Sequence, residues 1–166
     1  MVLKLFGMPM ATCARRVATI LVEKKVPFEF VLVDFSKAEH KSPAYLASQP
    51  FGQVPYIDDE GFILYESRAI CRYIEDKYPN QGTPLVPTDS QGKALFEQAA
   101  SIEYSNFDPF CSKAVAEMVF KPMGGQASNK AVFDELIETL SARLDVYESI
   151  LGNQRYLAGN EVTLAD

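Results

Sequence analysis

Every strand signal in this chain lies before one proline-rich stretch, Pro79-Asn80-Gln81-Gly82-Thr83-Pro84-Leu85-Val86-Pro87, and only helical periodicity follows it. Proline removes a backbone donor and fixes φ, so neither a helix nor a central strand runs through such a segment. The sequence therefore divides into an α/β unit over residues 1–78, an interdomain linker over 79–88 and an all-helical unit over 89–166. The 166 residues suffice for one large domain or two small ones, and this division selects the second.

In the first unit, residues 2–6 predict a short strand ending in the loop Gly7-Met8-Pro9-Met10. Ala14, Val17, Ala18, Leu21 and Val22 then recur at helical spacing until Val26-Pro27 ends the helix. Phe28-Glu29-Phe30-Val31-Leu32-Val33 is apolar and aromatic enough for a second strand, expected to be largely buried. Strand, helix, strand in this order implies parallel pairing with a right-handed crossover. Residues 34–41 read as a polar loop, and Ser42-Pro43 has the form of an N-cap followed by proline at the first helical position. Val54-Pro55-Tyr56-Ile57 and Phe62-Ile63-Leu64-Tyr65 flank an acidic turn closed by Gly61, which reads as a β-hairpin. Ser67 then precedes Ile70, Tyr73 and Ile74 at helical spacing.

In the second unit, Leu95, Ala99, Ile102 and Phe107 predict one long helix, and Val132, Phe133, Leu136, Ile137, Leu140, Leu144 and Tyr147 another. Thr163 and Asp166 have the Thr-x-x-acid spacing of a capped helix start, so a helix is expected to follow and the sequence reads as a fragment. A formal charge of -6 repels polyanions and argues against sequence-independent nucleic-acid binding. Apolar runs are far shorter than the roughly 20 residues of a membrane-spanning helix, and Lys4 interrupts the apolar start, so a cytoplasmic protein with no membrane association is expected. Cys13, Cys71 and Cys111 are odd in number and widely separated, and the chain has a single His, which disfavours both a disulfide framework and a metal site.

Three segments carry a resemblance: Glu39-His40-Lys41-Ser42-Pro43, Pro50-Phe51-Gly52-Gln53-Val54-Pro55 and Glu66-Ser67-Arg68-Ala69-Ile70-Cys71-Arg72-Tyr73-Ile74. With the order of elements, they resemble the phi class of the glutathione transferases. The resemblance runs through Tyr156-Leu157-Ala158-Gly159 to the final cap. It implies an α/β thioredoxin-like N-terminal domain followed by an all-α domain, incomplete at its C-terminus. Its implied cosubstrate is glutathione, with no metal.

Glutathione is an extended anionic tripeptide, so its site needs backbone hydrogen bonds, an anion pocket for each carboxylate and a group that holds its sulfur as thiolate. Val54-Pro55 lies where thioredoxin-like folds carry a cis-proline, which would turn the Val54 backbone toward the cysteinyl part of the ligand. Glu66 and Ser67 sit where a strand passes into a helix, and the resemblance assigns Ser67 to the γ-glutamyl carboxylate and Glu66 to its ammonium. Read alone, Glu-Ser before a helix is a capping device. His40 and Lys41 resemble the pair that meets the glycyl carboxylate, against the plain reading of a solvated loop, and Gln53 adds a polar contact beside Val54. Phe51 resembles the aromatic key that such subunits insert into a hydrophobic lock of a partner, implying a homodimer.

The chain departs from the family pattern at the thiolate-activating serine, whose place aligns with Ala11. Alanine donates nothing. Thr12 offers a hydroxyl one position on, and Cys13 a thiol of its own in the first turn of the helix. A sulfur held by Thr12 implies conjugation of glutathione to electrophilic apolar compounds. Exchange through Cys13 implies transfer of glutathionyl groups by way of a mixed disulfide. The plain readings are a cap for Thr12 and a small packing side chain for Cys13. The expected function is glutathione transfer, with a non-catalytic carrier of glutathione and hydrophobic ligands as the alternative that Ala11 leaves open. Met10, Phe35, Phe110, Met118 and Phe120 are candidate linings of the electrophile site, and Cys71 and Cys111 read as packing residues.

Overall fold

A computed structural model describes residues 2–166 and divides the chain into two compact units, Met1–Pro84 and Leu85–Asp166. The first begins β1 (Leu3–Gly7), α1 (Thr12–Glu23), β2 (Phe28–Leu32), with β1 and β2 parallel as expected of this order. The polar loop tightens into two 3₁₀ turns, Phe35–Lys37 and Glu39–Lys41. Ser42 then caps α2 (Pro43–Leu46), its hydroxyl accepting from the Tyr45 amide at 3.2 Å. The hairpin β3 (Tyr56–Asp59) and β4 (Phe62–Tyr65) follows, then α3 (Ser67–Lys77). The sheet order is β2-β1-β3-β4, with β3 antiparallel to both neighbours.

Alternation along β1 sends Leu3 and Leu5 to one face, and Ala14, Val17 and Leu21 of α1 and Ile70 and Ile74 of α3 are buried with them, α1 and α3 packing together. Phe6 points the other way and stacks on Tyr56 at 4.4 Å, beside Tyr45 of α2. The expectation of a largely buried second strand is not met. Phe30 and Leu32 are exposed because β2 is the sheet's edge strand, a fact of strand order that its composition does not reveal. Asp59 ties the hairpin to α3 through the Tyr73 hydroxyl at 2.5 Å and the Lys77 ammonium.

The unit boundary falls within the proline-rich stretch, whose first half is bonded to the end of α1. Gln81 donates to the Lys25 carbonyl at 2.7 Å, Thr83 donates to the Glu23 carboxylate, and the Thr83 carbonyl accepts from Lys24 at 3.1 Å. Gly82 adopts φ +63° so close to α1 that a Cβ there would lie 2.2 Å from the Glu23 carbonyl oxygen. Lys24 has no exposed side-chain surface and meets the Glu75 carboxylate at 2.8 Å, so one buried ammonium gathers the end of α1, α3 and residue 83.

The second unit opens with Asp89 capping α4 (Ser90–Ile102). The helical run continues through α5 (Asp108–Val115) and α6 (Lys121–Met123), interrupted by two π turns, Glu103–Phe107 and Ala116–Phe120. Each π turn lies just before a proline, Pro109 or Pro122. A proline has no amide to donate and its ring crowds the preceding turn, and a wider turn accommodates both without ending the helix. Asn129 caps α7 (Lys130–Leu151). At the end of the chain the Asp166 carboxylate accepts from the Thr163 amide at 2.8 Å, the reciprocal half of the capping box that the spacing predicts. Among the described residues no helix is long and apolar enough to cross a membrane.

Candidate functional site

Two groups of predicted residues are assembled within the first unit, each held by side chains that sequence reasoning did not single out. The first lies where α1 and α3 begin. Ala11 is the N-cap of α1 and supplies no side-chain bond to it, so the cap assigned to Thr12 by the plain reading is absent and Thr12 is instead the first, exposed helical residue. Cys13 is half-buried, its Sγ 3.7 Å from Nη1 of Arg16, and the same nitrogen donates to Ser67 Oγ at 2.8 Å. Arg16 thus spans 51 residues of sequence to join the two helix starts. Its only sequence signal is its i+3 spacing from Cys13, which puts both on one helix face.

Ser67 is 6% exposed and opens α3, whose first turn no side chain caps. Glu66 before it adopts φ +71° and ψ 104°, a region a non-glycine residue enters only when its surroundings impose it. Strain of that kind concentrates at binding sites. The uncapped amide donors of a helix start favour an anion. Cys71, one turn further along α3, is buried, and burial pushes its thiol up to about 12, in keeping with a packing role. Burial likewise raises the Cys111 thiol, with Asp108 adding to it.

The second group surrounds residues 51–55. Gln53 is exposed, but its backbone is held on both sides: its amide donates to Oε1 of Gln49 at 3.2 Å and its carbonyl accepts from the Tyr45 hydroxyl at 2.6 Å. Gln49 and Tyr45 are buried, and burial, then the neighbouring Tyr56 and Glu39, raise the Tyr45 phenol and keep it a donor. The Val54-Pro55 bond is cis, as the resemblance implies. Lys41 donates from Nζ to the carbonyls of Gly52 at 2.8 Å and Phe51 at 3.3 Å, which leaves one of its three protons for a ligand. His40 stacks on Phe35 at 4.1 Å, its Nδ1 buried and without a protein partner. A Cβ on Gly52, at φ +60°, would sit 2.8 Å from the His40 carbonyl, so only glycine lets the loop close on the His40-Lys41 turn. Phe51 is 63% exposed, touching Tyr65 edge-on at 6.2 Å.

Of the candidate electrophile contacts, Met10 is exposed and accepts at sulfur from Arg15 at 3.7 Å. Phe110 is half-buried on α5, and Met118 and Phe120 are exposed on the second π turn. Among the described residues no group of three or more His, Cys, Asp or Glu side chains gathers that could hold a metal ion.

The arrangement is similar to that of known proteins over its whole length. The glutathione S-transferase N-terminal domain matches residues 1–76 and the glutathione S-transferase C-terminal domain residues 107–166. A glutathione S-transferase of Arabidopsis thaliana, PM239X14, is 50% identical over 167 residues, covering 98% of this chain and 76% of its own. The crystal structure of glutathione transferase F7 from Populus trichocarpa superposes with a TM-score of 0.95 at 38% identity, covering 99% of this chain and 78% of its own. Maize glutathione S-transferase I, solved in complex with an atrazine glutathione conjugate, gives a TM-score of 0.90 at 34% identity over 100% of this chain and 77% of its own.

Proposed function

Since the chain belongs to the glutathione transferase family, among its phi-class members, we propose that it binds glutathione in its first unit and transfers it to electrophilic apolar compounds. The observation that carries this reading is buried Ser67 at the uncapped start of α3, behind the strained Glu66. Ser67 takes the γ-glutamyl carboxylate and Glu66 its ammonium. The backbone of Val54, beside the fixed carbonyl of Gln53, pairs with the cysteinyl part. Lys41 and His40 receive the glycyl carboxylate, Lys41 with the proton its loop contacts leave over.

In conjugation, the glutathione thiolate forms a carbon–sulfur bond to the electrophile, which either accepts the electron pair or expels its leaving group. In exchange, the Cys13 thiolate attacks the glutathionyl sulfur of a mixed disulfide and releases the substrate thiol. A glutathione thiolate then attacks the glutathionyl sulfur held on Cys13, forming glutathione disulfide and releasing the Cys13 thiolate, so electrons balance within the thiol pool. We assign these two steps to Thr12, exposed at the helix start, and to Cys13 respectively. The absence of any side-chain oxygen at Ala11 supports a second reading, a carrier that keeps the glutathione cradle without efficient chemistry.

Calorimetric titration with glutathione tests the binding step. Ser67→Ala is expected to weaken binding by about 1–3 kcal/mol, the usual cost of removing a hydrogen bond to a charged group. Unchanged affinity removes the assignment. Turnover with a reactive haloarene separates transferase from carrier.

Phe51, exposed in a Pro-Phe-Gly loop, supports a homodimer in which each copy buries the other's ring. Phe51→Ala is expected to shift sedimentation toward the monomer, and a wild type that stays monomeric at high concentration refutes the assembly. Three unpaired cysteines suit a reducing compartment and support a cytoplasmic location.

A further inference from the structure

A guanidinium carries donors only, so in the 2.8 Å contact between Arg16 Nη1 and Ser67 Oγ the serine oxygen is the acceptor. The direction of the serine's own proton follows. It points away from Arg16 and is offered to another group. Ser67 is buried at the first position of α3, so that hydrogen is offered beside the amide donors of the helix start rather than toward bulk water. A hydroxyl that already accepts from a cation is also a stronger donor, because the bond draws electron density from its oxygen.

We infer that Arg16 is a positioning residue for the γ-glutamyl carboxylate of glutathione, acting through Ser67, an assignment that rests on the glutathione reading of this site. It orders the Ser67 hydroxyl as a donor and sets a permanent positive charge one hydrogen bond behind the anion. The same Nη1 lies 3.7 Å from Cys13 Sγ, so Arg16 also fixes the start of α1 relative to the start of α3. Both helix starts then present to one ligand at a set spacing.

The test compares glutathione with the analogue that lacks only the γ-glutamyl carboxylate, 4-aminobutanoyl-cysteinylglycine. Both are titrated into the wild type, Arg16→Gln, Arg16→Lys, Ser67→Ala and the double variant Arg16→Gln/Ser67→Ala, with thermal unfolding recorded for each. Arg16→Gln is expected to weaken glutathione about tenfold and the analogue by less than about twofold, and to cost little more once Ser67 is already alanine. KM for glutathione rises while kcat holds, as expected of an interaction made equally in ground and transition states. Arg16→Lys keeps the charge and a donor and recovers most of the loss.

Equal weakening of both ligands, losses that add to those of Ser67→Ala, or wild-type affinity in Arg16→Gln overturns the inference and makes Arg16 a strut between helices. Should Arg16→Gln fail to fold, Arg16→Met, which also removes the charge and the donors, decides by the same comparison: a loss confined to glutathione supports the inference, and an equal loss on both ligands or wild-type affinity overturns it. A wild type that binds the two ligands equally instead refutes the glutathione reading of Ser67, and this inference with it, before any variant is made.

Discussion

Ala11→Ser is expected to raise conjugation of glutathione to an electrophile by about a hundredfold, the scale on which a single donor aimed at developing or resident negative charge acts. Ala11 is the N-cap of α1, with φ -75° and ψ 123°, the extended geometry from which a serine hydroxyl accepts from amides of the first turn. A serine oxygen occupied in that way has its proton left over, and the proposed glutathione sulfur is the group it would meet. The substitution also fills an empty cap, so the helix gains about 1 kcal/mol, a separate effect read from thermal unfolding. Cys13→Ser divides the two chemistries: it should abolish deglutathionylation of mixed-disulfide substrates while glutathione affinity stays nearly intact. A conjugation rate unmoved by Ala11→Ser means that Thr12 or the helix start already does the work. Exchange that survives Cys13→Ser makes Cys13 a packing residue.

Glu75→Ala is expected to cost about 3–5 kcal/mol of stability, the penalty for leaving a buried charge without its partner. Lys24 is wholly buried, and its ammonium meets the Glu75 carboxylate at 2.8 Å and the Thr83 carbonyl at 3.1 Å. Removal of the carboxylate strands that charge where water cannot reach it, and loosens residue 83 from α1 and α3 at once. The attraction itself contributes far less than the penalty for breaking it. The double variant Lys24→Met/Glu75→Leu, which removes both charges and fills the space, should therefore recover most of the loss. Urea unfolding measures both. A midpoint for Glu75→Ala equal to the wild type, or a double variant no better than the single, contradicts the account.

Much of the first unit, its candidate site included, is legible in the residues because its parts are short and local. Ser42-Pro43 reads as a helix start and is one, with the serine hydroxyl on the Tyr45 amide. The acidic turn before Phe62 reads as a hairpin and forms one. Glu66-Ser67 is ambiguous by itself, a cap or an anion site. The positive φ of Glu66 and the burial of Ser67, on which the proposed anion site rests, are not specified by the dipeptide.

The sequence alone determines the order of strands and helices in the first unit, that the chain divides within the proline-rich stretch, and that the usual serine is replaced by Ala11. Each of these depends on residues within a few positions of one another, through periodicity, capping or the covalent limits of proline. The tertiary structure alone decides that β2 is an edge strand with Phe30 and Leu32 exposed, and that Gln49 and Tyr45 hold the backbone of Gln53. It also decides that Lys24 is buried against Glu75 and that Arg16 reaches Ser67. A lone lysine or arginine on a helix reads as solvated, because its partner lies about fifty residues away. The partner comes within reach only when α1 and α3 pack on the same face of the sheet.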